Sequence, residues 1–300
     1  MTKRSVAAVF LFALHGLFGP LQSIAAAAPE VVQAHPALWR VDGKHGTVYI
    51  LGSIHLLPLN VNWHSPDVNR AMKRADVFVF EVAIDSNTDN RVRQLIDTQG
   101  TLPPGQSLRG LLPPASQADY DKALAYLGLP LQAVDDKRPW LAKLMMYASV
   151  LFKHHQLTDT GVDKLVTGEA MALGKEVRTL ETVDQQIELI KPSNPDVELQ
   201  SFVMELHTIE TEDAYVVSMT RAWEMGDAAT IGEITDAIFA GYPEQRATLL
   251  TVRNQAWLKT IEAMLNEHKT FFVTVGASHL VGDDGLPALL RAAGYKVDGP

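Results

Sequence analysis

The sequence predicts an α/β protein built on a central, mostly parallel sheet, with flanking helices and a large helical insertion in the middle of the chain. Three apolar runs support this fold class: residues 47–51 (TVYIL), 76–81 (DVFVFE) and 270–275 (TFFVTV). Runs rich in β-branched and aromatic residues, closed by glycine or a charge, are typical of buried strands. The stretches between them carry the spacing of amphipathic helices, so strands and helices alternate as in α/β proteins.

The predicted fold begins with a hairpin. Residues 38–41 (LWRV) and 47–51 flank a turn with two glycines, which favours two antiparallel strands. Ser65 and Pro66 then form an N-cap and a first helical position, and apolar residues recur after them at helical spacing. Because a strand precedes and follows this helix, residues 47–81 predict a strand–helix–strand crossover of a parallel sheet.

The middle of the chain predicts the helical insertion. Residues 84–115, punctuated by prolines, are expected to form an irregular excursion. From about 116 to 253 the pattern is mostly helical, with one short strand at 176–180 (EVRTL). Three further elements precede or follow the strand at 270–275: a helix at 247–267, a helix at 285–293 and a strand at 295–297.

The N-terminal residues have the composition of a secretory signal peptide. Lys3 and Arg4 precede an apolar stretch, and small residues follow at 25–28 (AAAA), as at an A-x-A cleavage site. The alternative, a retained membrane anchor, needs about 20 apolar residues, whereas this stretch offers about 12. We therefore expect a signal peptide over residues 1–27, a single α/β domain over 28–300 and a periplasmic or secreted location.

Composition narrows the classes of function. The chain has 300 residues, no cysteine and a net charge of −9, which becomes −11 once Lys3 and Arg4 leave with the signal. An acidic chain without a basic cluster argues against nucleic acid as a partner. Because disulfides and thiolate ligands are excluded, a metal site would be built from His, Asp and Glu. No second apolar stretch is long enough for a membrane span, and no pattern indicates an oligomeric state.

Two predicted strands end in a Gly-x-x-His motif. Gly52 leads to His55 (GSIH), and Gly276 leads to His279 (GASH). Fewer than one such motif is expected by chance from 20 glycines and 10 histidines in 300 residues, so a single one would be uninformative. Glycine lets the backbone turn sharply as it leaves a sheet, and function in α/β proteins gathers at the carboxyl ends of strands. We therefore predict that the two imidazoles lie at the same edge of one sheet.

Two glutamates strengthen this prediction. Glu81 follows FVF and Glu181 follows RTL, each at a predicted strand end, and a buried carboxylate is costly unless it is paired or bound to a cation. Two His and one or two Glu suit Zn²⁺, Mn²⁺ or Co²⁺ with an open position for water, from which a Glu can take a proton. Arg253 can stabilise an oxyanion or anchor a carboxylate. The alternative is structural: hydrogen-bonded histidines, and a Glu181–Arg253 ion pair across the sheet.

The remaining histidines and Asp163 carry no site prediction. His154 and His155 are adjacent near a helix end, where neighbouring side chains point in different directions, and the others are isolated or lie in turns. We expect most of these histidines to be solvated. Asp163, near the start of a predicted helix, is expected to be a favourable charge at a helix N-terminus.

Together the motifs resemble the TraB/GumN family. The resemblance rests on LWRV and TVYILGSIH, the FE of DVFVFEV, GVD and GKEV, RN followed by W, and VTVGASHLVG, in that order along the chain. This family is related to TIKI-type metalloproteases and to erythromycin-esterase-like proteins. The resemblance therefore implies an α/β fold, a site built from His55, His279 and Glu81, and, by way of the TIKI branch, metal-dependent peptidase activity.

We therefore expect a periplasmic metal-dependent hydrolase, a peptidase, acting on a peptide or small-molecule substrate. The expected cofactor is Mn²⁺, Co²⁺ or Zn²⁺, the expected catalytic residues are Glu81 and Arg253, and the expected metal ligands are His55, His279, Glu81 and Glu181. Two alternatives stay open. One is a metal-independent esterase-type hydrolase, with a histidine as base and Arg253 as an anion clamp. The other is a non-catalytic periplasmic protein that carries haem or a polysaccharide.

Overall fold

The computed structural model describes residues 31–55, 57–58, 60–155, 161–191, 194–207, 209 and 212–300, so the predicted signal peptide at 1–27 lies outside the described residues. The chain divides into two compact units. Of the described residues, the first unit takes 85–155 and 183–216, and the second takes 31–84, 161–182 and 217–300. The single domain over 28–300 and its insertion at about 116–253 stay predictions. Among the described helices, none combines the length and apolar character needed to span a membrane.

Strands and helices alternate along the chain, and the predicted α/β class is confirmed. The strands of the described chain are β1 (Val32–Gln33), β2 (Leu38–Asp42), β3 (Thr47–Ser53), β4 (Val61–Asn62), β5 (Val77–Phe80), β6 (Glu176–Thr179), β7 (Thr270–Gly276) and β8 (Val297–Asp298). The helices of the described chain are α1 (Pro66–Arg74), α2 (Ser86–Leu95), α3 (Leu108–Leu111), α4 (Pro114–Leu127), α5 (Leu131–Val134), α6 (Pro139–His155), α7 (Val162–Ala172), α8 (Val183–Ile190), α9 (Pro195–Leu206), α10 (Glu212–Met225), α11 (Ala228–Phe239), α12 (Pro243–Arg246), α13 (Val252–Met264) and α14 (Leu286–Ala292).

The second unit contains a sheet that has six strands in the described chain, in the order β6-β5-β7-β3-β2-β8. The neighbours from β6 to β3 pair in parallel, whereas β2 pairs antiparallel with both β3 and β8. The sheet is therefore mixed rather than mostly parallel. The short turn between β2 and β3 joins antiparallel strands, as predicted, and β8 adds a second antiparallel pair at the edge beside β2.

Alternation along the parallel strands places one face of the sheet against α13 and α14. Val77 and Val79 of β5 and Val273 of β7 belong to a buried core that includes Trp257 and Ile261 of α13. Since side chains alternate between the two faces of a strand, the residue two positions after Val79 continues toward the same helix. That residue is Glu81.

The first unit is a helical assembly with its own core. α2, α4, α6, α8 and α9 contribute buried residues, among them Leu141, Tyr120 and Phe202. Helix α2 lies in the stretch 84–115 that the sequence predicts as irregular. Its sequence is mostly polar, with only Val92 and Leu95 buried, so periodicity did not indicate it; Asp85 caps its start by accepting from the Thr88 amide at 2.8 Å.

Candidate functional site

Three neighbouring parallel strands of the second unit deliver polar side chains to one edge of the sheet. β5 is followed directly by Glu81, β3 by the turn that carries His55, and β7 by a 3₁₀ turn that carries His279. The three side chains surround Gly276. A Cβ placed on this glycine would lie 3.4 Å from Glu81 Oε1, 3.7 Å from His279 Cδ2 and 3.9 Å from His55 Nε2. The glycine that ends β7 therefore leaves the space in which these groups meet.

Glu81 is buried and both of its carboxylate oxygens accept hydrogen bonds. Oε1 accepts from the Gly276 amide at 2.7 Å, and Oε2 accepts from Arg253 Nη2 at 2.7 Å. Burial by itself raises the pKa of Glu81, but the charge of Arg253, with smaller effects from His279, His55 and the Gly276 amide, lowers it to about 2. Glu81 is therefore a carboxylate at any physiological pH.

Arg253, in the first turn of α13, lies at the centre of the cluster. A guanidinium has five N–H donors, and all five are engaged. Nε donates to Glu181 at 2.9 and 3.2 Å, Nη2 donates to Glu81 and, at 2.8 Å, to Glu181, and Nη1 donates to the Leu249 carbonyl at 3.1 Å and to His279 Nε2 at 3.0 Å. Its side chain is only 4% exposed. The guanidinium therefore has no donor left over for an oxyanion.

Glu181 reaches the same cluster from the edge of the sheet. Its amide donates to the Glu81 carbonyl at 2.8 Å, which extends the pairing of β5 and β6 beyond the strand ends. Its carboxylate accepts from Arg253 and, at 3.0 Å, from the indole N–H of Trp257. Glu181 and Arg253 thus form the ion pair across the sheet that was the structural alternative to a metal site.

His279 is held at both ring nitrogens. Because arginine only donates, Nε2 accepts from Arg253, and the proton is therefore assigned to Nδ1, which donates to Asn254 Oδ1 at 2.6 Å. Asn254 is in turn fixed by donating to the Asp284 carbonyl at 2.8 Å. Burial, and secondly the charge of Arg253, lower the pKa of His279 to about 3. This imidazole is neutral at physiological pH.

His55 is the most exposed of these site residues. Its side chain is 14% exposed, against 10% for Glu181 and 4% for both Glu81 and Arg253. Its Nδ1 faces Asp163 Oδ1 at 3.5 Å, the long limit of a hydrogen bond, and Asp163 is fully buried. His55 is therefore the member of the cluster best placed to meet a substrate.

Asp163 is the site residue that sequence reasoning missed. It is the second residue of α7, so the predicted helix N-terminal position is correct, but the side chain also faces His55. The start of α7 is docked there by the Val162 amide, which donates to the Ile54 carbonyl at 3.1 Å. Only the GVD triplet among the family-like motifs pointed to this aspartate.

The predicted metal ligands do not fit a metal as they are arranged. Within the described parts of the chain, no group of three or more His, Asp or Glu side chains is placed to hold an ion. Arg253 lies between Glu81, Glu181 and His279 and donates to each of them. A ligand nitrogen must offer its lone pair to the metal, and the Nε2 lone pair of His279 is directed at the guanidinium instead.

The fold and this edge of the sheet define an α/β protein with a buried carboxylate–guanidinium–imidazole cluster behind a partly exposed histidine. Residues 37–299 match the family model described as the TraB/PrgY/gumN family. The chain belongs to that family, which confirms the resemblance drawn from the motifs.

The chain is similar to two curated relatives. "Metalloprotease TIKI1" of Danio rerio is 24% identical, with 87% of this chain and 62% of the relative covered. "Metalloprotease TIKI1" of Homo sapiens is 22% identical, with 90% of this chain and 63% of the relative covered. The chain thus spans less than two thirds of the length of these relatives. No solved structure matches the chain.

Proposed function

We propose that this protein is a hydrolase of peptide bonds that acts where His55, Glu81 and His279 meet. The observation that carries the proposal is the His55–Asp163 pair, a partly exposed imidazole backed by a buried carboxylate at the carboxyl edge of the sheet. This edge is where α/β proteins bind their ligands. The relatives named metalloproteases support peptides as the substrate class.

His55 is the general base of the proposed reaction. In this proposal we assign the ring proton of His55 to Nδ1, on the Asp163 side, and the basic role to Nε2, which lies on the side of Gly276. Nε2 takes a proton from water, and the oxygen of that water bonds to the carbonyl carbon of the substrate. When the C–N bond breaks, the same proton passes from Nε2 to the leaving amine. Asp163 stabilises the imidazolium that forms between the two proton transfers.

Glu81, Arg253 and His279 serve this reaction by holding its geometry. A carboxylate whose pKa is about 2 is a weak base near neutral pH, so Glu81 is poorly suited to activating water. Its oxygens instead fix the Gly276 amide and Arg253. Arg253, with every N–H engaged, holds the two glutamates and His279 in place.

A second candidate is the metal-dependent peptidase expected from the sequence, with Mn²⁺, Co²⁺ or Zn²⁺. The name metalloprotease carried by both relatives favours it. The engagement of His279 Nε2 and of both glutamates by Arg253 argues against it. The reaction without a metal is therefore the version that the geometry supports best.

We also propose that the protein works outside the cytosol, in the periplasm or as a secreted protein. The basic, apolar and small-residue segments of residues 1–27 support export. Its substrates would then be peptides of that compartment. The acidic charge of the chain supports the absence of nucleic acid among its partners.

The test compares two histidine variants on a mixed panel of peptides and esters, with products identified by mass spectrometry. His55→Gln should lower kcat by about 10²–10⁴-fold, the usual contribution of a general base. His268→Gln is the matched control, because His268 is exposed and its ring lies against that of His45, which has no part in the proposed reaction. Wild-type protein that cleaves nothing would contradict the proposal, as would a His55→Gln variant that retains full activity. Cleavage of esters but not peptides would favour the esterase alternative.

A further inference from the structure

We propose that Arg253 is a built-in cation that stands in the place of a divalent metal, so that this site is complete without one. The proposal concerns the cluster itself and holds whether or not the protein proves to be a peptidase. It follows from the disagreement between the metal that the relatives' names imply and the partners that the ligand-type side chains have in this structure.

The geometry around the guanidinium supports this assignment. Glu81 Oε2 and Glu181 Oε2 lie 2.7 and 2.8 Å from Nη2, and His279 Nε2 lies 3.0 Å from Nη1. One nitrogen and two carboxylate oxygens thus converge on the same planar group. This mixed donor set is the kind that Zn²⁺ or Co²⁺ prefers in proteins without cysteine ligands. The guanidinium occupies the position that such an ion would need.

The charges of the site also favour Arg253 as its resident cation. Glu81 is buried and the side chain of Glu181 is only 10% exposed. These carboxylates need a cation, because isolated ionised groups are strongly disfavoured in the interior. Arg253 supplies one positive charge and satisfies four carboxylate contacts, and its charge is further covered by the Trp257 ring at 4.6 Å. A metal entering beside it would be repelled by the guanidinium. A metal displacing it would leave a buried arginine without its partners.

The neutral state of His279 is set by the same contact. Since Arg253 can only donate, His279 must present the lone pair of Nε2 to it. The N–H at Nδ1 then donates a hydrogen bond to Asn254 Oδ1. In metal sites a histidine likewise offers one lone pair to the cation and donates its other N–H to an oxygen acceptor. Asn254 therefore orients His279 toward Arg253. In a metal site, the oxygen acceptor hydrogen-bonded to a ligating histidine orients it toward the metal in the same way.

Metal content tests the proposal without reference to activity. Wild-type protein, Arg253→Ala and Arg178→Ala are incubated with Zn²⁺ or Co²⁺, separated from free ion by gel filtration and measured by elemental analysis. Arg253→Ala should retain one equivalent and show a higher melting temperature with metal, because binding to the folded state stabilises it. Wild type and Arg178→Ala should retain only traces. Arg178 is the matched control because it also bonds two glutamates, Glu176 and Glu267, and has no histidine partner among the described residues.

A companion variant identifies the ligands. Adding His279→Gln to Arg253→Ala should abolish the acquired metal binding, since the imidazole lone pair is then absent. Stoichiometric metal in wild-type protein overturns the proposal, and so does a folded Arg253→Ala variant that binds none. If Arg253→Ala does not fold, the wild-type measurement decides alone, with metal-free protein supporting the proposal and metal-loaded protein overturning it. Failure of the hydrolase proposal is recognised separately, as absence of cleavage.

Discussion

Two arginines of the second unit are each held by two glutamates, yet their surroundings differ. Arg253 bonds Glu81 and Glu181 with its side chain 4% exposed, whereas Arg178 bonds Glu176 and Glu267 with its side chain 32% exposed. Arg253 also donates to a histidine and lies beside the indole of Trp257, while Arg178 lies over the ring of Phe271. The same pairing of residue types thus occurs in a buried and in a solvated form.

The difference shows what burial adds to an ion pair. An exposed pair is screened by water and salt and contributes little to stability. A buried pair cannot lose one partner without leaving an uncompensated charge in the interior. The stability of the Arg253 cluster therefore depends on each partner, whereas the Arg178 cluster is a solvated feature at the edge of the sheet.

The largest difference should appear when each arginine is replaced by methionine. Arg253→Met should lower the free energy of unfolding by about 3–5 kcal/mol, because Glu81 and Glu181 lose their buried cation. Arg178→Met should change it little. Urea unfolding of both variants in metal-free buffer measures the two values. Equal losses would show that burial does not distinguish the clusters.

Acid should weaken the buried cluster through His279. Its pKa is about 3 in the folded protein against an ordinary 6.5, so between these values the unfolded chain binds more protons. Stability should therefore fall as the pH falls through this window, by up to about 1.4 kcal/mol per pH unit. Glu81, lowered from 4.5 to about 2, adds a loss in the same direction below about pH 4.5.

His279→Gln sharpens this test, because glutamine can accept from Arg253 and donate to Asn254 without titrating. Urea unfolding at several pH values should give a flatter dependence between pH 6.5 and 4.5 for the variant than for the wild type. Glu176→Gln, in the exposed cluster, serves as the control. Its free energy of unfolding should depend on pH between 6.5 and 4.5 in the same way as that of the wild type. Parallel curves for wild type and His279→Gln would contradict the assigned neutral state.

Asp163→Asn tests whether the buried carboxylate of Asp163 positions the imidazole of His55. The amide keeps the shape of the side chain but removes the charge that orients and stabilises the His55 imidazolium. We expect kcat to fall by about 10- to 100-fold, less than the roughly 10⁴-fold loss for a triad aspartate, because the contact is long at 3.5 Å. KM and the melting temperature should stay near their wild-type values. A change in KM alone would assign Asp163 to substrate binding instead.

Salt should produce the smallest effect. Raising the ionic strength from low values to about 1 M shortens the screening length to about 3 Å and should erase whatever Arg178 contributes. The stability difference between wild type and Arg253→Met should persist, since the Arg253 side chain is only 4% exposed and buried charges are screened much less by salt. Chemical unfolding with urea, which adds no charge, measures both at each salt concentration. If the difference in the free energy of unfolding between wild type and Arg253→Met disappeared in high salt, the Arg253 cluster would be exposed to solvent.

Sequence reasoning was most successful for the parallel strands. Buried strands are continuous apolar runs, so 47–51, 76–81 and 270–275 were assigned within two residues of β3, β5 and β7. The polar residues directly after these strands could also be placed at one edge, because parallel strands share their direction. Helix α2 was missed because its sequence lacks an apolar stripe, and the antiparallel strand β8 makes the sheet more mixed than expected.

The finer arrangement of the site depends on how helices pack, which the local pattern does not encode. The proximity of Asp163 to His55 follows from the docking of α7 onto the end of β3. The full engagement of Arg253 follows from the placement of α13 over the sheet. The sequence is compatible with two roles for Arg253, an ion pair with Glu181 or a hydrogen-bond donor to an oxyanion. The three-dimensional contacts support the ion pair, because all five N–H groups are engaged.

The most direct test of a metal-free hydrolytic site is the peptidase activity of wild-type protein before and after exhaustive chelation. The protein is dialysed against chelator, freed of it and assayed on the peptides it cleaves, with and without added Mn²⁺, Co²⁺ or Zn²⁺. With Arg253 as the resident cation and His55 as the base, kcat should be unchanged by chelation and by added metal. Activity that disappears on chelation and returns with one of these ions would contradict this account.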